Sequence, residues 1–363
     1  MRTISINLAG RRRDILVAPG LINEVGPRIA EAVGGSAHNA VIVSNSTVTE
    51  LHGKRVERSL RRAGFKVHTF LAGDGEKFKT LKSADKIYTF LIENRLERGD
   101  FIVALGGGVV GDLAGFAAAT YLRGIRVVQI PTTLLAQIDS SIGGKTGVNH
   151  RLGKNLIGAF HQPALVLIDP EALATLPGRE LRAGLFEAIK YGVISDRSLF
   201  DEIDANMARL KRASLPELTS LISRSCEIKA EVVEKDEREG GLRRILNFGH
   251  TVGHALEAVT LYRRFLHGEA VGHGMRAASR VAELMGLFSA DERMRLDQAI
   301  SGVGAIPAAG NLASRDIMTA MKRDKKVEAG NLAFVLPVEI GRVVIRSDVP
   351  LKTVRKALSE ALA

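Results

Sequence analysis

Three histidines stand close together in LNFGHTVGHALEAVTLYRRFLHGE, residues 246–269: His250, His254 and His267. His250 and His254 are four apart, so a helix places them on one face. His267 follows a basic turn and precedes Gly268 and Glu269, and Glu257 lies between. Imidazole is the commonest biological metal ligand and the usual acid/base near neutral pH. The run therefore reads as a metal site with a catalytic histidine beside it. Upstream, Glu187 and Lys190 in LRAGLFEAIKYGV are three apart, on one helix face. Their neighbours are apolar, so both can point inward. A carboxylate, two histidines and a water make a usual catalytic zinc set; spacing alone pairs His250 with His254. Lys229, Arg243 and Asn247 approach the histidine helix from its N-terminal side, and Lys322–Lys326 is a further charge cluster.

A second group suits an anionic cofactor. Gly106-Gly107-Gly108-Val109-Val110-Gly111-Asp112 follows an apolar strand and opens a helical run. Glycines there let the backbone approach a pyrophosphate, and a helix N-terminus favours an anion. The spacing is not G-x-G-x-x-G, so the dinucleotide fingerprint is not met. Thr132 and Thr133 end the next strand, and Glu76, in a Gly-Glu-Lys-Phe-Lys turn closed by Lys79, can accept a ribose hydroxyl. Together these features favour a dinucleotide. The GGKTG of residues 143–147 fails as a phosphate loop, because Asp139 stands where the first glycine is required. Lys145, Lys154 and Asn155 around it still suit an oxygen-rich anion.

The elements that must position these groups change character along the chain. Short apolar strands at 41–45, 66–72, 101–105, 127–131 and 164–169 alternate with amphipathic helical stretches such as 83–97. That alternation implies a mostly parallel sheet. Beyond Pro170 helices dominate, at 179–194, 198–212, 215–235, 250–260, 268–286, 290–301 and 314–322, with a small hairpin from 332–336 and 343–346. The expected fold is α/β: a Rossmann-like parallel-sheet domain over 1–170 and a mainly helical metal-binding domain over 171–363. Two packed domains would leave a cleft for a ligand.

Composition excludes several alternatives. The chain has 363 residues and 45% hydrophobic residues, enough for two domains with proper cores. The one cysteine, Cys226, excludes an internal disulfide and a cysteine-based zinc site, and suits a reducing cytoplasm. The N-terminus alternates like a strand and is no secretory signal. Residues 101–122 are long enough to span a bilayer, but three glycines interrupt them, so strand, turn and helix explain them better. The net charge of +11 is spread in pairs and triples and aromatics are only 5%, which speaks against nucleic acid. Such a field would steer a small anionic substrate.

In combination these runs resemble the 3-dehydroquinate synthases. The matching stretches are GGGVVGDLAGF, YLRG at 121–124, IPTTLLAQIDSSIGGKTGVN, KNLIGAFHQP, GLFEAIKYG, LNFGHTVGHALE, LHGEAV and DKK, in order from about 74 to 336. The resemblance implies a tightly held NAD and one Zn²⁺, with Co²⁺ a substitute. It implies metal ligands Glu187, His250 and His267, which makes His254 a substrate-site acid/base and phosphate partner rather than a ligand. It further implies substrate contacts at Asp139, Lys145, Asn155, Lys190, Lys229, Arg243, Asn247 and Lys325 or Lys326, and cofactor contacts at Asn45, Glu76, Lys79, Gly106–Gly108, Asp112, Thr132, Thr133, Lys145, Lys154 and Thr175. Arg123 looks like the residue that reaches a neighbouring subunit, which implies a homodimer. Relatives commonly carry an aspartate where this chain has Asn45. The implied reaction is a lyase step: 3-deoxy-D-arabino-heptulosonate 7-phosphate loses phosphate and closes to 3-dehydroquinate while NAD is oxidant and then reductant. Other sugar-phosphate cyclases and metal-dependent polyol dehydrogenases share the superfamily.

Overall fold

A computed structural model describes the whole chain except Ala9, 324–326, 329–330 and Ala363. It divides into two compact units, Met1–Pro177 with Leu218–Arg238, and Gly178–Glu217 with Glu239–Ala363.

The first unit is built on strands β1 (Arg2–Leu8), β2 (Arg11–Val17), β3 (Asn39–Ser44), β4 (Lys66–Leu71), β5 (Phe101–Gly106) and β6 (Arg126–Pro131). A hairpin of β7 (Lys145–His150) and β8 (Gly153–Phe160) and the strand β9 (Leu165–Ile168) follow. Seven strands form one sheet in the order β1-β2-β9-β6-β5-β3-β4. All neighbours are parallel except the β1–β2 hairpin. The central strands read as unbroken apolar runs because both faces are covered. On one face Ile42, Val103, Leu105, Val128 and Leu167 pack with Val25, Ile29, Val56 and Leu60 of helices α1 (Val25–Val33) and α3 (Lys54–Arg62), which follows the short α2 (Ser46–Val48). On the other, Val41, Val43, Ile102, Ala104 and Val127 pack with Ile87, Leu91, Leu113 and Ala117 of α4 (Leu81–Glu93) and α5 (Gly108–Thr120). The alternation of partners along each strand follows the two-residue period of side chains. Residues 101–122, long enough for a bilayer, are thus β5, a glycine turn and α5, and among the described residues no helix is long and apolar enough to cross a membrane.

The second unit holds α6 (Gly178–Ser195), α7 (Arg197–Leu210), α9 (His250–Val259), α10 (His267–Leu284), α11 (Ala290–Val303), α12 (Ser314–Arg323) and α13 (Leu351–Ala361). Two small antiparallel pairs accompany them: β10 (Val327–Glu328) with β11 (Asn331–Leu332), and β12 (Phe334–Glu339) with β13 (Arg342–Arg346). The helix α8 (Leu215–Lys235) starts here, but from Leu218 it belongs to the first unit. The units thus divide at 177/178 rather than 170, and a segment expected in the helical domain joins the sheet domain. The cause is on α8 itself: Cys226 Sγ donates to Gln137 O at 3.4 Å, and Lys229 Nζ donates to Asp139 O and Oδ1, both at 2.6 Å.

Candidate active site

The helix α6 is buried from Ala183 to Ile194, and it carries Glu187 (0% exposed) and Lys190 (1%) into that interior. Lys190 Nζ lies 2.5 Å from Glu187 Oε2. Neither carboxylate oxygen takes a hydrogen bond. Oε1 faces Nε2 of His250 at 3.6 Å and Nε2 of His267 at 3.5 Å. His250 Nδ1 is 3.1 Å from Phe248 O, and His267 Nδ1 is 3.2 Å from Glu257 Oε2. A carbonyl or carboxylate oxygen can only accept, so each ring donates from Nδ1 and turns the Nε2 lone pair inward. Two ligands at about 2.0–2.2 Å from a tetrahedral ion are roughly 3.3–3.6 Å apart. The orphaned carboxylate oxygen and the two Nε2 atoms meet that spacing, so these residues fit a divalent metal. His254, one turn after His250, also offers a nitrogen: one from each of the three histidines lies within 4.8 Å of the others. The geometry alone therefore offers two ligand sets, three histidines or Glu187 with His250 and His267.

The position of His267 is fixed at the start of α10. Glu269 Oε2 accepts from Leu266 N at 2.8 Å, which caps the helix. Arg179, in the first turn of α6, grips the same carboxylate in bidentate fashion, Nε to Oε1 at 2.7 Å and Nη2 to Oε2 at 2.8 Å. Gly268 is required between them, since a Cβ there would stand 1.9 Å from Ala183 O of α6. The clamp ties the helix bearing Glu187 to the first turn of the helix bearing His267. Sequence reasoning missed Arg179. Its only signal was a glutamate three residues after a helix start, and with Leu266 rather than a hydroxyl residue at the cap it did not read as a capping box.

Also in this unit, Arg243 is one of the largest fully buried side chains, at 1% exposure. It sits on a 3-10 turn, Leu242–Asn247, whose last residue donates from Nδ2 to Glu239 Oε1 at 2.9 Å. Glu239 holds a left-handed φ of 63°, uncommon for a residue with a side chain. It was not among the expected site residues. Lys325 and Lys326 lie outside the described residues.

In the first unit Lys79, Asp112, Asn155, Glu76 and Lys154, among the expected anion-binding residues, form one polar cluster with Asn149. Lys79 is buried, and its Nζ contacts Asp112 Oδ2 and Asn155 Oδ1, the latter at 2.6 Å. Asn155, at φ 54°, donates its backbone N–H to Asn149 Oδ1 at 3.0 Å. Asn149 Nδ2 donates to Glu76 Oε1 at 2.7 Å, and Lys154 Nζ is 4.0 Å from the same atom. Asn155, expected with the substrate residues, is thus bonded to Lys79, a residue expected at the cofactor. Lys145 opens β7 and is exposed, so GGKTG runs into a strand and not into the helix a phosphate loop needs. Arg123 is exposed on a turn where Leu122 and Arg123 both take positive φ, 50° and 66°. Asp139 is paired with Lys229, as described. Thr175 Oγ1 stands 3.4 Å from Nε2 of His52, an imidazole whose pKa is lowered by burial and by Arg55. Asn45 caps the helix after β3, accepting from Val48 N at 2.8 Å, and donates from Nδ2 to Asp74 Oδ1 at 3.0 Å.

The glycine turn fits a dinucleotide. Gly107 is the N-cap of α5, and no side chain caps that helix. Its first N–H groups are thereby left without the cap that other helices here receive from a side chain, and the helix N-terminus suits a pyrophosphate. Thr132 is buried beside this turn, its N–H donating to Gly106 O at 3.0 Å, and Thr133 Oγ1 accepts from Ala136 N at 3.1 Å.

Comparison with known proteins decides the family. Models of the N-terminal and C-terminal parts of 3-dehydroquinate synthase match residues 69–183 and 184–327. The chain belongs to the 3-dehydroquinate synthase family. It is 53% identical to the 3-dehydroquinate synthase of Gloeobacter violaceus over 95% of each chain. It is 49% identical to that of Nostoc punctiforme over 98% of each. Among solved structures, 2-epi-5-epi-valiolone synthase from Streptomyces hygroscopicus, with NAD⁺ and Zn²⁺ bound, is 30% identical with a TM-score of 0.89, covering 98% of both chains. A 2-deoxy-scyllo-inosose synthase complexed with carbaglucose-6-phosphate, NAD⁺ and Co²⁺ is 25% identical, with a TM-score of 0.87 over 99% of this chain and 100% of the other. The 3-dehydroquinate synthase family thus shares its fold with related sugar-phosphate cyclases.

Proposed function

We propose that the chain converts 3-deoxy-D-arabino-heptulosonate 7-phosphate to 3-dehydroquinate and phosphate, as a lyase of aromatic amino acid biosynthesis. Near-full-length identity of 53% to a curated synthase carries this reading. When bound, NAD supplies a hydride acceptor that is restored within each turnover, and a divalent metal, Zn²⁺ with Co²⁺ as substitute, supplies a Lewis acid.

Glu187, His250 and His267 hold the metal, supported by the orphaned Oε1 between two Nε2 atoms. His254 then keeps its imidazole for proton work at the phosphate oxygen. Lys190, ion-paired with Glu187 in the interior, keeps a positive charge beside the ligand carboxylate. Arg243 clamps the substrate carboxylate, since a buried guanidinium stays charged and matches a carboxylate in bidentate fashion. Asn247, steadied by Glu239, offers an amide to a substrate hydroxyl. For NAD, the uncapped start of α5 at Gly106–Gly108 takes the pyrophosphate, with Thr132, Thr133, Asp112, Lys79, Glu76, Lys145, Lys154 and Thr175 around it.

We further assign a homodimer, in which Arg123 on its left-handed turn reaches the neighbouring subunit, and a cytoplasmic location suited to a free thiol at Cys226. The deciding assay supplies the heptulosonate phosphate and follows phosphate release together with the cyclic product. Activity on phosphorylated sugars that lack the carboxylate, with none on the heptulosonate, would instead identify another cyclase.

A further inference from the structure

Arg179, Ala183 and Glu187 are spaced by four on α6 and so share one face. Each meets a successive residue at the start of α10. Arg179 grips Glu269 through Nε to Oε1 at 2.7 Å and Nη2 to Oε2 at 2.8 Å. Ala183 O leaves no room for a Cβ at Gly268. Glu187 Oε1 stands 3.5 Å from His267 Nε2. The first contact is charge-assisted and bidentate, so it adds fixed geometry as well as attraction. Arg179 also reaches the turn between α9 and α10, where its Nη2 donates to Arg264 O at 3.1 Å. That turn carries two successive left-handed residues with side chains, Leu261 at φ 51° and Tyr262 at φ 58°. Such a backbone persists only where its surroundings hold it. The Glu269 side chain is buried, whereas that of Arg179 is half exposed. One arginine at the surface thus ties together the helix of Glu187, the turn that follows the helix of His250, and the cap of the helix that begins at His267.

We propose that Arg179 is a positioning residue of the metal site: through Glu269 it fixes His267 against Glu187, so the site is formed before an ion arrives and releases it slowly. This rests on the ligand reading above, Glu187 with His250 and His267. Arg179 acts from about two helical turns before Glu187. A ligand set already held by its surroundings gives up less freedom on binding. Partners outside the ligand shell change metal affinity about 10- to 100-fold for this reason. Release needs one ligand to swing away. His267, first residue of its helix and next to a strained turn, is the ligand placed to do so, and the Arg179 latch opposes it. Lysine could supply the charge but not the planar fork that grips both oxygens of Glu269.

The test measures Zn²⁺ affinity by chelator competition, the rate of Zn²⁺ release into excess chelator, and the visible spectrum of the Co²⁺-loaded protein, all on the full chain. Thermal unfolding of the metal-free protein is followed alongside. Arg179→Met should weaken Zn²⁺ about 10- to 100-fold, mostly through faster release, and should shift the Co²⁺ bands. Arg179→Lys should recover only part of the loss. Adding Glu269→Gln to Arg179→Met should weaken binding little further, because the pair is already broken. As a control, Arg295→Met removes another ion pair of the same unit, Arg295 Nη2 to Asp201 Oδ1 at 2.8 Å, and should leave affinity and spectrum unchanged. Unchanged affinity and spectrum in Arg179→Met, even with a lower unfolding temperature, would overturn the proposal and leave the clamp a support of the fold. Fully additive losses in the double variant would overturn the route through Glu269. Zn²⁺ held as tightly by His267→Ala as by the wild type would overturn the ligand reading, and the proposal with it.

Discussion

Oε1 of Glu187 lies 3.5 Å from Nε2 of His267 and takes no hydrogen bond, in an interior where Glu187 is wholly buried. A buried carboxylate oxygen left this way costs about 1–3 kcal/mol or more unless a ligand satisfies it. A divalent ion held also by His250 would remove that cost. Alanine at Glu187, His250 or His267 should therefore empty the site, while His254→Ala should retain close to one metal per chain by elemental analysis. Glu187→Gln belongs in the series, because it keeps the side-chain volume and an acceptor oxygen beside the buried Lys190 that alanine removes. Metal lost from His254→Ala but kept by Glu187→Gln would point to the three-histidine set.

Glu257 should set metal affinity without touching the metal. Its Oε2 is 3.2 Å from Nδ1 of His267 and so fixes the tautomer that leaves Nε2 for the ion. Outer-shell carboxylates of this kind contribute about 10- to 100-fold to affinity. Glu257→Ala should weaken Zn²⁺ by that factor in chelator competition, and Glu257→Gln, which still presents an acceptor, by less. Equal affinity in all three proteins would show that His267 is held by its helix cap alone.

What could be read from the chain beforehand was local. Strand, Gly106–Gly108 turn and helix are consecutive, so one window of sequence contains the whole device. The span of α8 was legible to the residue from its helical period, but its membership of the sheet unit was not. Period reports that a face is apolar, not which partner covers it, and the contacts to Gln137 and Asp139 come from about 90 residues away. The Arg179–Glu269 clamp was hidden for the same reason, at a separation of 90 residues. At Asn45 the residue type was noticed but not its partner, because Asp74 becomes a neighbour only when β4 pairs with β3. For the histidines, the four-residue spacing favoured His250 with His254. Nothing in spacing shows that a glutamate on α6 also turns an oxygen toward His250 and His267, which adds the second ligand set.

Turnover should need NAD without accumulating NADH. Protein stripped of nucleotide should be inactive with the heptulosonate phosphate and regain activity on adding NAD in catalytic amount. Absorbance at the NADH wavelength should stay flat after a first rise no larger than the enzyme concentration. Steady growth in step with product would mark a polyol dehydrogenase.

The buried Asp100 predicts an acid-dependent component of stability. Burial alone would raise its pKa, but hydrogen bonds from the backbone N–H groups of Glu97, Asn39 and His38 and from the Asn39 amide outweigh it and lower the value. A lowered carboxyl contributes stability in full above its unfolded value, about 3.9, and loses it as pH falls through the folded value. Asp100→Asn should cost about 1–3 kcal/mol at pH 7 by urea unfolding, since donors lose their acceptor. The gap to wild type should hold from pH 8 to 5 and shrink below about pH 4. A gap that widens on acidification would contradict the assignment.

Arg243 should read the substrate carboxylate. It is 1% exposed and sits one turn before Asn247 on the segment that leads into the histidine helix. Loss of its charge-assisted contact should cost about 2–4 kcal/mol of transition-state binding, roughly 30- to 1,000-fold in kcat/KM. Arg243→Lys keeps the charge but not the planar fork, so it should recover only part of the loss. An analogue whose carboxylate is reduced to an alcohol supplies the second axis. With it the wild type should already be impaired, and Arg243→Lys should add little, because the contact no longer exists. Two enzymes against two substrates give a coupling energy, which separates a direct contact from a general effect on the fold. Equal loss on both substrates would place Arg243 in support of the fold or of the phosphate, and would reopen the case for a cyclase whose substrate carries no carboxylate.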